Sequence, residues 1–223
     1  MRGRIAEVFD SIQGEGLYLG EKQIFVRFFG CNLRCSYCDT KLNYYKEYEA
    51  PDLFNEIDSY PPEFHSVSFT GGEPLMQCDF LKEVLILTKG KNYRNYLETN
   101  GVLFNELKEV IERIDIVAMD CKLPSSTGEF PCWKAHRRFL EIASSKEVFV
   151  KMVICNSTQT QDVLESLNLI RETNPAVTVI LQPNTNEGGF MLEGKLEYYS
   201  ALCAESSLAS CIIPQMHKII ELR

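Results

Sequence analysis

Residues 23–40 read QIFVRFFGCNLRCSYCDT, an apolar run that leads directly into a loop with three cysteines. The apolar part, Gln23–Phe29, is short and rich in β-branched and aromatic residues, which predicts a buried strand. The cysteines that follow are Cys31, Cys35 and Cys38. Thiolates this close in sequence can each bind one iron of a cubane iron–sulfur cluster. The fourth iron then has no protein ligand and is open to a substrate or cofactor.

Five further segments have the same short, β-rich character as this first strand. They are His65–Thr70, Tyr96–Thr99, Asp115–Asp120, Val148–Ile154 and Val177–Gln182. Between the strands, apolar residues recur with the period of a helix. The helical segments are Phe80–Thr88, Leu103–Ile111, Phe139–Ile142 and Val163–Ile170. This alternation predicts an α/β fold with a parallel sheet, which either curls into a full or partial barrel or stays open and doubly wound.

Polar or glycine-rich groups follow most of these strands at the point where each strand ends. The cysteines follow the first strand, Gly71-Gly72-Glu73-Pro74 follows the second, and Glu98-Thr99-Asn100-Gly101 closes the third. Asp120-Cys121-Lys122 ends the fourth strand, and Gln182-Pro183 ends the sixth. Functional residues of parallel α/β folds gather at the carboxyl ends of the strands. The sequence therefore predicts one site at this rim.

The composition is that of an ordinary globular protein. The chain has 223 residues, 45% of them hydrophobic, and a net charge of −8, which predicts one domain over residues 1–223, with residues 1–22 as an N-terminal extension. No apolar run approaches the roughly 18–20 residues of a membrane span, and no secretory pattern is visible, so a cytoplasmic location is expected. No basic cluster offers a grip on nucleic acid, and a small-molecule partner fits better. The other cysteines are expected to be buried apolar side chains.

Two features of the N-terminal part each have a structural and a functional interpretation. Arg27 interrupts an apolar strand, and a buried guanidinium must be paired. Its partner is either a substrate carboxylate, which a bidentate fork matches, or one of the many acidic side chains of the protein. Gln13-Gly14-Glu15-Gly16 is a turn-forming segment, and it is either a plain surface turn or part of the site.

The cysteine loop after one strand and the Gly-Gly-Glu-Pro turn after the next make the chain resemble the radical S-adenosylmethionine (SAM) superfamily. Within it, the chain is similar to the 7-carboxy-7-deazaguanine synthase family of the queuosine pathway, from about residue 5 to the end. Other segments that carry the resemblance are Ile12–Gly16, Phe25–Leu33, Lys122–Ser126 and Pro214–Lys218. The resemblance implies a single domain with a partial (β/α)6-type barrel in which helices can be trimmed, and residues 1–22 contributing to the substrate site.

The activity that the resemblance implies is that of a carbon–nitrogen lyase. Such an enzyme converts 6-carboxy-5,6,7,8-tetrahydropterin to 7-carboxy-7-deazaguanine with loss of ammonia. The implied cofactors are a 4Fe–4S cluster, SAM and Mg²⁺. The resemblance further implies a homodimer and a reducing partner such as flavodoxin or ferredoxin.

The resemblance also assigns roles to individual positions, although it gives no general acid or base. The implied cluster ligands are Cys31, Cys35 and Cys38, and the implied Mg²⁺ ligand is Thr40. The implied SAM contacts are Tyr37, Cys38, Asp39, Gly72, Asp120, Cys121 and Lys122. The implied substrate contacts are Ile12, Gln13, Gly14, Arg27 and Thr70.

Two other functions stay open on the sequence alone. An activase that installs a glycyl radical on a partner protein also combines the cysteine loop with a Gly-Gly-Glu-Pro turn. It has no use, however, for residues 13–16 and Arg27 together. A non-catalytic iron–sulfur or zinc protein would also use the three cysteines, but such sites normally have a fourth protein ligand.

Overall fold

The computed structural model describes residues 1–40 and 42–220, and all strands among these residues belong to one nine-stranded sheet. The strands are β1 Arg2–Ile12, β2 Lys22–Phe28, β3 Lys46–Glu49, β4 Ser66–Gly71, β5 Asn95–Thr99, β6 Ile116–Asp120, β7 Glu147–Ile154, β8 Val179–Pro183 and β9 Ser210–Ile212. The helices are α1 Ala50–Asp58, α2 Cys78–Gly90, α3 Phe104–Val110, α4 Pro124–Thr127, α5 Trp133–Ala143, α6 Thr160–Thr173, α7 Phe190–Glu205 and α8 Met216–Ile219. Single 3₁₀ turns lie at Gly16–Tyr18, Pro74–Gln77 and Ile111–Arg113.

The order of the strands is β3-β1-β2-β4-β5-β6-β7-β8-β9. From β2 to β9 each strand is parallel to its neighbour, and at least one helix joins each consecutive pair. Strand β1 is antiparallel to both β2 and β3. The sheet is open, with β3 and β9 as its ends, so the described residues form a partial barrel with six strand–helix crossovers. The six predicted strands and the four predicted helical segments are confirmed, whereas β3, β9, α1, α4, α7 and α8 were not predicted.

The first 22 residues are part of the sheet. Strand β1 pairs with β2 from Ile5 opposite Phe28 to Ile12 opposite Lys22. The loop between the two strands, residues 13–21, folds back on itself, since the Gln13 N–H donates to the Glu21 carbonyl over 2.8 Å. Because Gln13, Gly14 and Gly16 are buried, this loop is not a surface turn.

Alternation along the strands separates a helix-covered face from an inner face. On β6, Val117 and Met119 belong to the large core under the helices, while Ile116 and Ala118 point the other way. The inner face carries a small apolar cluster, on which Tyr18 from the β1–β2 loop packs. The members of this cluster are Tyr96, Ile116, Ala118, Phe149 and Ile180. Two residues further along several of these strands, the same face carries polar side chains at the carboxyl ends of the strands.

The longer helices bury one face each against the sheet. On α5 the buried residues are His136, Phe139, Leu140 and Ala143, which are spaced as one helical stripe. Helices α1 and α4 have proline in the first turn, where the missing N–H costs no hydrogen bond. Among the described residues, no helix combines the length and apolarity that crossing a bilayer requires.

All nine cysteines are free thiols. Outside the cysteine loop, Cys121, Cys155 and Cys203 are buried, as expected from the sequence. Cys78 and Cys132 are only partly buried, and Cys211 is exposed on β9. The expectation of buried apolar side chains therefore fails for Cys211, because it lies on a strand at the end of the sheet.

Candidate active site

A cavity of about 580 Å³ opens at the carboxyl ends of the parallel strands, a volume usual for small-molecule sites. It is lined by the cysteine loop, residues 30–40, together with strand ends and the segment around α8. Of the residues predicted for the site, all but one line this cavity. These are Ile12, Gln13, Gly14, Arg27, Cys31, Cys35, Tyr37, Cys38, Asp39, Thr40, Thr70, Gly72, Asp120 and Lys122.

The exception is Cys121, whose side chain points away from the cavity. Because Asp120 faces the cavity, the next residue along the chain faces the helices. The Cys121 thiol is 2% exposed and its sulfur lies 3.7 Å from His136 Nδ1 and 3.4 Å from Ser166 Oγ. Its N–H donates to the Lys151 carbonyl. The Cys121 side chain therefore does not face the cavity, and a contact of this residue with SAM stays a prediction for its backbone.

The cysteine loop is held from behind by α4 and the turn after it. The Ser36 N–H donates to the Thr127 carbonyl over 2.8 Å, and Ser36 Oγ donates to the Ser126 carbonyl over 2.9 Å. The Arg34 N–H donates to Glu129 Oε1 over 2.5 Å. These bonds fix the backbone between the cysteines, so the three thiols face the cavity from one wall.

The three thiols share one wall of the cavity, as three ligands of one cluster require. In the described part of the chain, no three His, Cys, Asp or Glu side chains are placed to hold one metal ion together. No other cysteine lines the cavity among these residues, so no fourth thiolate closes the site. Burial raises the pKa of Cys31, while N–H groups of Leu33 and Asn100 stabilise its thiolate from 3.4 and 3.8 Å. These features suit a cubane with one open iron.

Close backbone packing explains why residues 71 and 72 are both glycine. A Cβ at Gly72 would lie 1.9 Å from the Gly30 carbonyl oxygen. Gly71 has a φ of +114°, and a Cβ there would lie 2.5 Å from the Phe28 backbone. Only glycine lets the end of β4 approach the start of the cysteine loop this closely.

Glu73 ties the end of β4 to the end of β5. Its Oε1 accepts hydrogen bonds from the Leu75 N–H and Thr99 Oγ1, over 3.1 and 2.9 Å, and its Oε2 accepts from the Asn100 N–H over 2.8 Å. Burial raises the pKa of Glu73 to about 7, although these donors act in the opposite direction. Glu73 thus serves the architecture of the rim, and it does not line the cavity.

A buried charge network forms the floor of the cavity. Lys151 Nζ lies 2.6 Å from Glu15 Oε2 and 3.4 Å from Asp120 Oδ1. Lys122 Nζ lies 2.9 Å from Asp120 Oδ2. Burial alone would raise the pKa of Asp120, but Lys122 and Lys151 together hold it below its usual value. The network therefore keeps two lysines and two carboxylates ionised although they are largely removed from solvent.

Glu98 lies beside this network and holds two of the predicted substrate residues. Its Oε1 accepts from Gln13 Nε2 over 2.8 Å, and its Oε2 accepts from Thr70 Oγ1 over 2.9 Å. Burial raises the pKa of Glu98, Lys151 opposes this rise, and the charge of Glu15 adds to it. Glu98 is thus a carboxyl group that gains a proton more easily than usual.

Arg27 has a structural partner and also faces the cavity. Its guanidinium lies 3.6 Å from Glu7 Oε2 and 5.3 Å from the centre of the Phe9 ring. All three side chains line the cavity. The pairing with an acidic residue is confirmed, and contact of Arg27 with a substrate carboxylate stays a prediction.

The residues between and after the cysteines lie at the mouth of the cavity. Lys122 Nζ lies 3.4 Å from Tyr37 Oη and 5.5 Å from the centre of the ring. Thr40 Oγ1 donates to Asp39 Oδ1 over 3.3 Å. Ile12 is 44% exposed at the end of β1. The mouth therefore presents one aromatic ring, one hydroxyl and one aliphatic side chain.

The segment around α8 covers part of the cavity. Gln215 Nε2 donates to Glu15 Oε1 over 2.7 Å and to Asp39 Oδ2 over 3.1 Å. Lys218 forms an ion pair with Asp39, and His217 lines the cavity. This segment thus joins the floor of the cavity to the cysteine loop.

The chain is similar in sequence to proteins of known function. The model of the radical SAM superfamily matches residues 25–190. Over 97% of its length the chain is 34% identical to the 7-carboxy-7-deazaguanine synthase of Geobacter sulfurreducens, covering 96% of that protein. The chain belongs to the 7-carboxy-7-deazaguanine synthase family. The 7-carboxy-7-deazaguanine synthase of Methanothermobacter thermautotrophicus is 46% identical over 55% of this chain and 51% of its own length.

The fold agrees with this family membership. The crystal structure of QueE from Escherichia coli superimposes with a TM-score of 0.66 and 20% sequence identity, over 94% of this chain and 93% of that one. As a member of the 7-carboxy-7-deazaguanine synthase family, the chain is a radical SAM enzyme of the lyase class. The alternatives of a glycyl-radical activase and of a non-catalytic iron–sulfur or zinc protein are therefore set aside.

Proposed function

We propose that the cavity is the site where 6-carboxy-5,6,7,8-tetrahydropterin is converted to 7-carboxy-7-deazaguanine with loss of ammonia, within queuosine and 7-deazapurine biosynthesis. One observation carries this proposal: a single cavity joins the wall of three thiols to a floor of buried, paired charges. The wall of thiols supports radical chemistry, and the floor of paired charges suits a small, polar, heterocyclic substrate.

The cofactors would be held at the cysteine wall. Cys31, Cys35 and Cys38 would bind the 4Fe–4S cluster, which together with SAM supplies hydrogen-atom abstraction when bound. We propose SAM contacts for Tyr37, Cys38, Asp39, Gly72, Asp120 and Lys122, all of which border the cavity. The Tyr37 ring offers a flat face for adenine, and the Gly71-Gly72 turn exposes backbone next to the cysteine loop.

The substrate would lie over the floor of the cavity. Arg27 offers a guanidinium to the substrate carboxylate, and Phe9 holds that group in place from behind. Gln182 lines the cavity, and its Oε1 is buried with no hydrogen-bond partner among the described residues, so we propose that the side chain turns this oxygen towards a pterin N–H when the substrate binds. Glu98 fixes Gln13 and Thr70 for further contacts, and Ile12 and Gly14 complete the wall.

The remaining task of the protein is to keep this chemistry ordered and dry. The pairs of Lys151 with Glu15 and of Lys122 with Asp120 supply fixed charges that need no reorganisation during the reaction. Gln215 links the α8 segment to the floor, which restricts the entry of water.

The proposal also includes Mg²⁺, a homodimer, a reducing partner, a cellular location and a single domain. Thr40 would give one hydroxyl ligand to Mg²⁺, which is reasonable because Mg²⁺ uses few protein ligands and keeps water or substrate oxygens. A homodimer and a reducing partner such as flavodoxin or ferredoxin are proposed from the family. Nine free thiols favour a reducing, cytoplasmic location. The single sheet supports one domain over residues 1–223, to which residues 1–22 contribute β1 and its loop.

The test is anaerobic turnover of 6-carboxy-5,6,7,8-tetrahydropterin with SAM, Mg²⁺ and a reductant, with the deazapurine detected by mass spectrometry. We expect Arg27→Ala to lower kcat/KM for the pterin by roughly 100-fold, because it removes a bidentate bond to a charged group. Cleavage of SAM to 5′-deoxyadenosine should persist in this variant.

The matched control is Arg171→Ala, which removes an exposed arginine of α6 and should leave turnover unchanged. Undiminished pterin turnover in Arg27→Ala would contradict the assigned carboxylate contact. A wild-type protein with a full cluster that cleaves SAM but never yields the deazapurine would overturn the proposed function.

A further inference from the structure

We propose that Asn100 donates a hydrogen bond to the sulfur of Cys31 and thereby raises the reduction potential of the cluster, with His136 as the positioning residue behind it. This inference rests on the proposed function, in which Cys31 is a cluster ligand. It adds a role for two residues that are not among the proposed cluster ligands, SAM contacts or substrate contacts.

Asn100 lies at the end of β5, next to the first cysteine of the loop. The residue is 5% exposed, and its Nδ2 lies 3.8 Å from Cys31 Sγ and 2.7 Å from Asn32 Oδ1. Bonds from N–H to sulfur are longer than bonds to oxygen, so this separation suits a donor to a thiolate. The two protons of Nδ2 can serve both acceptors at once.

The remaining polar groups of Asn100 are all engaged, which fixes the direction of its amide. Its N–H donates to Glu73 Oε2 over 2.8 Å, and its Oδ1 accepts from the Val102 N–H over 3.2 Å. A flipped amide would turn Nδ2 towards the Val102 donor and Oδ1 towards the sulfur, so both contacts would be lost. The bond network therefore selects the orientation in which the sulfur receives a proton donor.

His136 holds the carbonyl of Asn100 from the helix side of the sheet. Its Nε2 lies 3.2 Å from the Asn100 carbonyl oxygen, and its Nδ1 lies 3.7 Å from the Cys121 sulfur. The Lys122 N–H also lies 3.5 Å from Nε2, but the Asn100 carbonyl is closer, so we assign a neutral ring that donates from Nε2 to this carbonyl and accepts from the Cys121 thiol at Nδ1. Ser166 Oγ lies 3.4 Å from the same sulfur, so the chain of contacts begins in α6.

A donor aimed at a ligand sulfur favours the reduced cluster. Reduction adds negative charge to the cluster, and an N–H near the sulfur stabilises that charge. Loss of the donor should therefore make the cluster harder to reduce. Because the electron must reach the cluster before SAM is cleaved, this bond would decide how strong a reductant the enzyme needs.

The test uses the cluster-loaded enzyme under anaerobic conditions and does not depend on turnover. Asn100→Leu removes the donor at similar volume, and Asn100→Ser shortens the side chain so that it cannot reach the sulfur. Cluster loading is measured first by iron and sulfide content, and the potential is then measured by a redox titration monitored by electron paramagnetic resonance.

At an applied potential equal to the wild-type midpoint, we expect the ratio of reduced to oxidised cluster to fall roughly tenfold in each loaded variant, from the worth of one bond to a charged group. For a one-electron couple, this ratio corresponds to a midpoint about 59 mV lower. The control is Ser36→Ala, which removes a hydroxyl of the cysteine loop that bonds the Ser126 carbonyl of α4 and no sulfur. Because the Ser36 N–H still holds the loop at the Thr127 carbonyl, the ratio should stay unchanged.

Each outcome has one meaning. A ratio within about twofold of wild type in a loaded Asn100 variant overturns the inference, since it is far below the worth of a charged hydrogen bond. An equal fall in Ser36→Ala also overturns it, because it would show general loosening of the loop. A wild-type protein that binds no 4Fe–4S cluster contradicts the proposed function instead.

Discussion

Lys151 is the residue on which most of the buried charge of the cavity depends. It lies on β7 between Val150 and Met152, which face the large core, so its own side chain faces the cavity. There it meets Glu15 from the β1–β2 loop and Asp120 from β6. A single ammonium thus compensates carboxylates from two other parts of the chain.

We expect Lys151→Met to lower the free energy of unfolding by about 3–5 kcal/mol, because it leaves Glu15 without its cation and Asp120 with Lys122 alone. Urea unfolding at neutral pH measures this change. The control is Lys82→Met, which removes an exposed lysine of α2 that pairs with Glu109 and should cost less than about 1 kcal/mol. A double variant with Glu15→Gln should recover part of the loss, and equal costs for the two single variants would contradict this account.

Several of these residues were visible in the sequence only in part. The cysteines, Gly72 and Arg27 stand out because each breaks a local pattern with a chemically specific residue. Lys151 breaks its apolar strand in the same way and was missed, although alternation along β7 would have placed it on the face of the cavity. The same alternation, applied to β6, would have excluded the side chain of Cys121. Partners such as Glu98 for Gln13 depend on tertiary contacts that no spacing reveals.

At the scale of elements, α5 is coupled to the rim of the sheet through His136. Burial lowers the pKa of His136 to about 4, the bond to the Asn100 carbonyl opposes this, and Lys122 adds to the lowering. The folded state therefore prefers the neutral ring, whereas the unfolded chain binds a proton below a pH of about 6.5. Stability from this residue is present above pH 6.5 and is lost as the pH falls towards 4.

We expect His136→Gln to remove this pH dependence, because glutamine can donate to the Asn100 carbonyl but does not titrate. Between pH 7 and pH 5, the wild type should lose about 2 kcal/mol of unfolding free energy that the variant keeps. Urea midpoints of both proteins at the two pH values give the comparison. Parallel shifts in the two proteins would show that another group causes the acid sensitivity.

The elements that sequence patterns missed have identifiable physical reasons. Strand β3 reads Lys-Glu-Tyr-Glu and buries only Tyr48, as expected for a short strand at the end of a sheet. Strand β9 has three residues, which is too short for a periodic signal. Helix α7 is apolar on several sides, with Phe190 and Met191 exposed and Leu196 and Tyr199 buried, so it lacks a clean stripe. The six central strands were predictable because they are buried on both faces.

At the scale of the whole molecule, the cavity is completed by residues from opposite ends of the sequence. Gln215 bonds Glu15 of the β1–β2 loop and Asp39 of the cysteine loop. The Met216 N–H also donates to the Gly14 carbonyl over 2.9 Å. A Cβ at Gly14 would lie 2.4 Å from the His217 ring, so this glycine makes room for the covering segment.

We expect Gln215→Ala to raise KM for the pterin roughly tenfold with a smaller change in kcat, since it removes bonds to two carboxylates that hold the cover in place. Steady-state kinetics with saturating SAM measure both constants. Gln161→Ala, at an exposed glutamine of α6, is the control and should leave both constants unchanged. An unaltered KM in Gln215→Ala would mean that the α8 segment does not restrain the substrate.

The β1–β2 loop places Glu15 in the charge network, and three residues later the Tyr18 ring lies 4.7 Å from His65 and 5.8 Å from Tyr96, centre to centre. Because both side chains are held by their contacts, the number of residues between Glu15 and Tyr18 is fixed. A one-residue insertion between them would break either the pairing of Glu15 with Lys151 or the packing of Tyr18 on His65 and Tyr96. Variants designed to change substrate specificity should therefore alter side chains of the β1–β2 loop and keep the number of its residues unchanged.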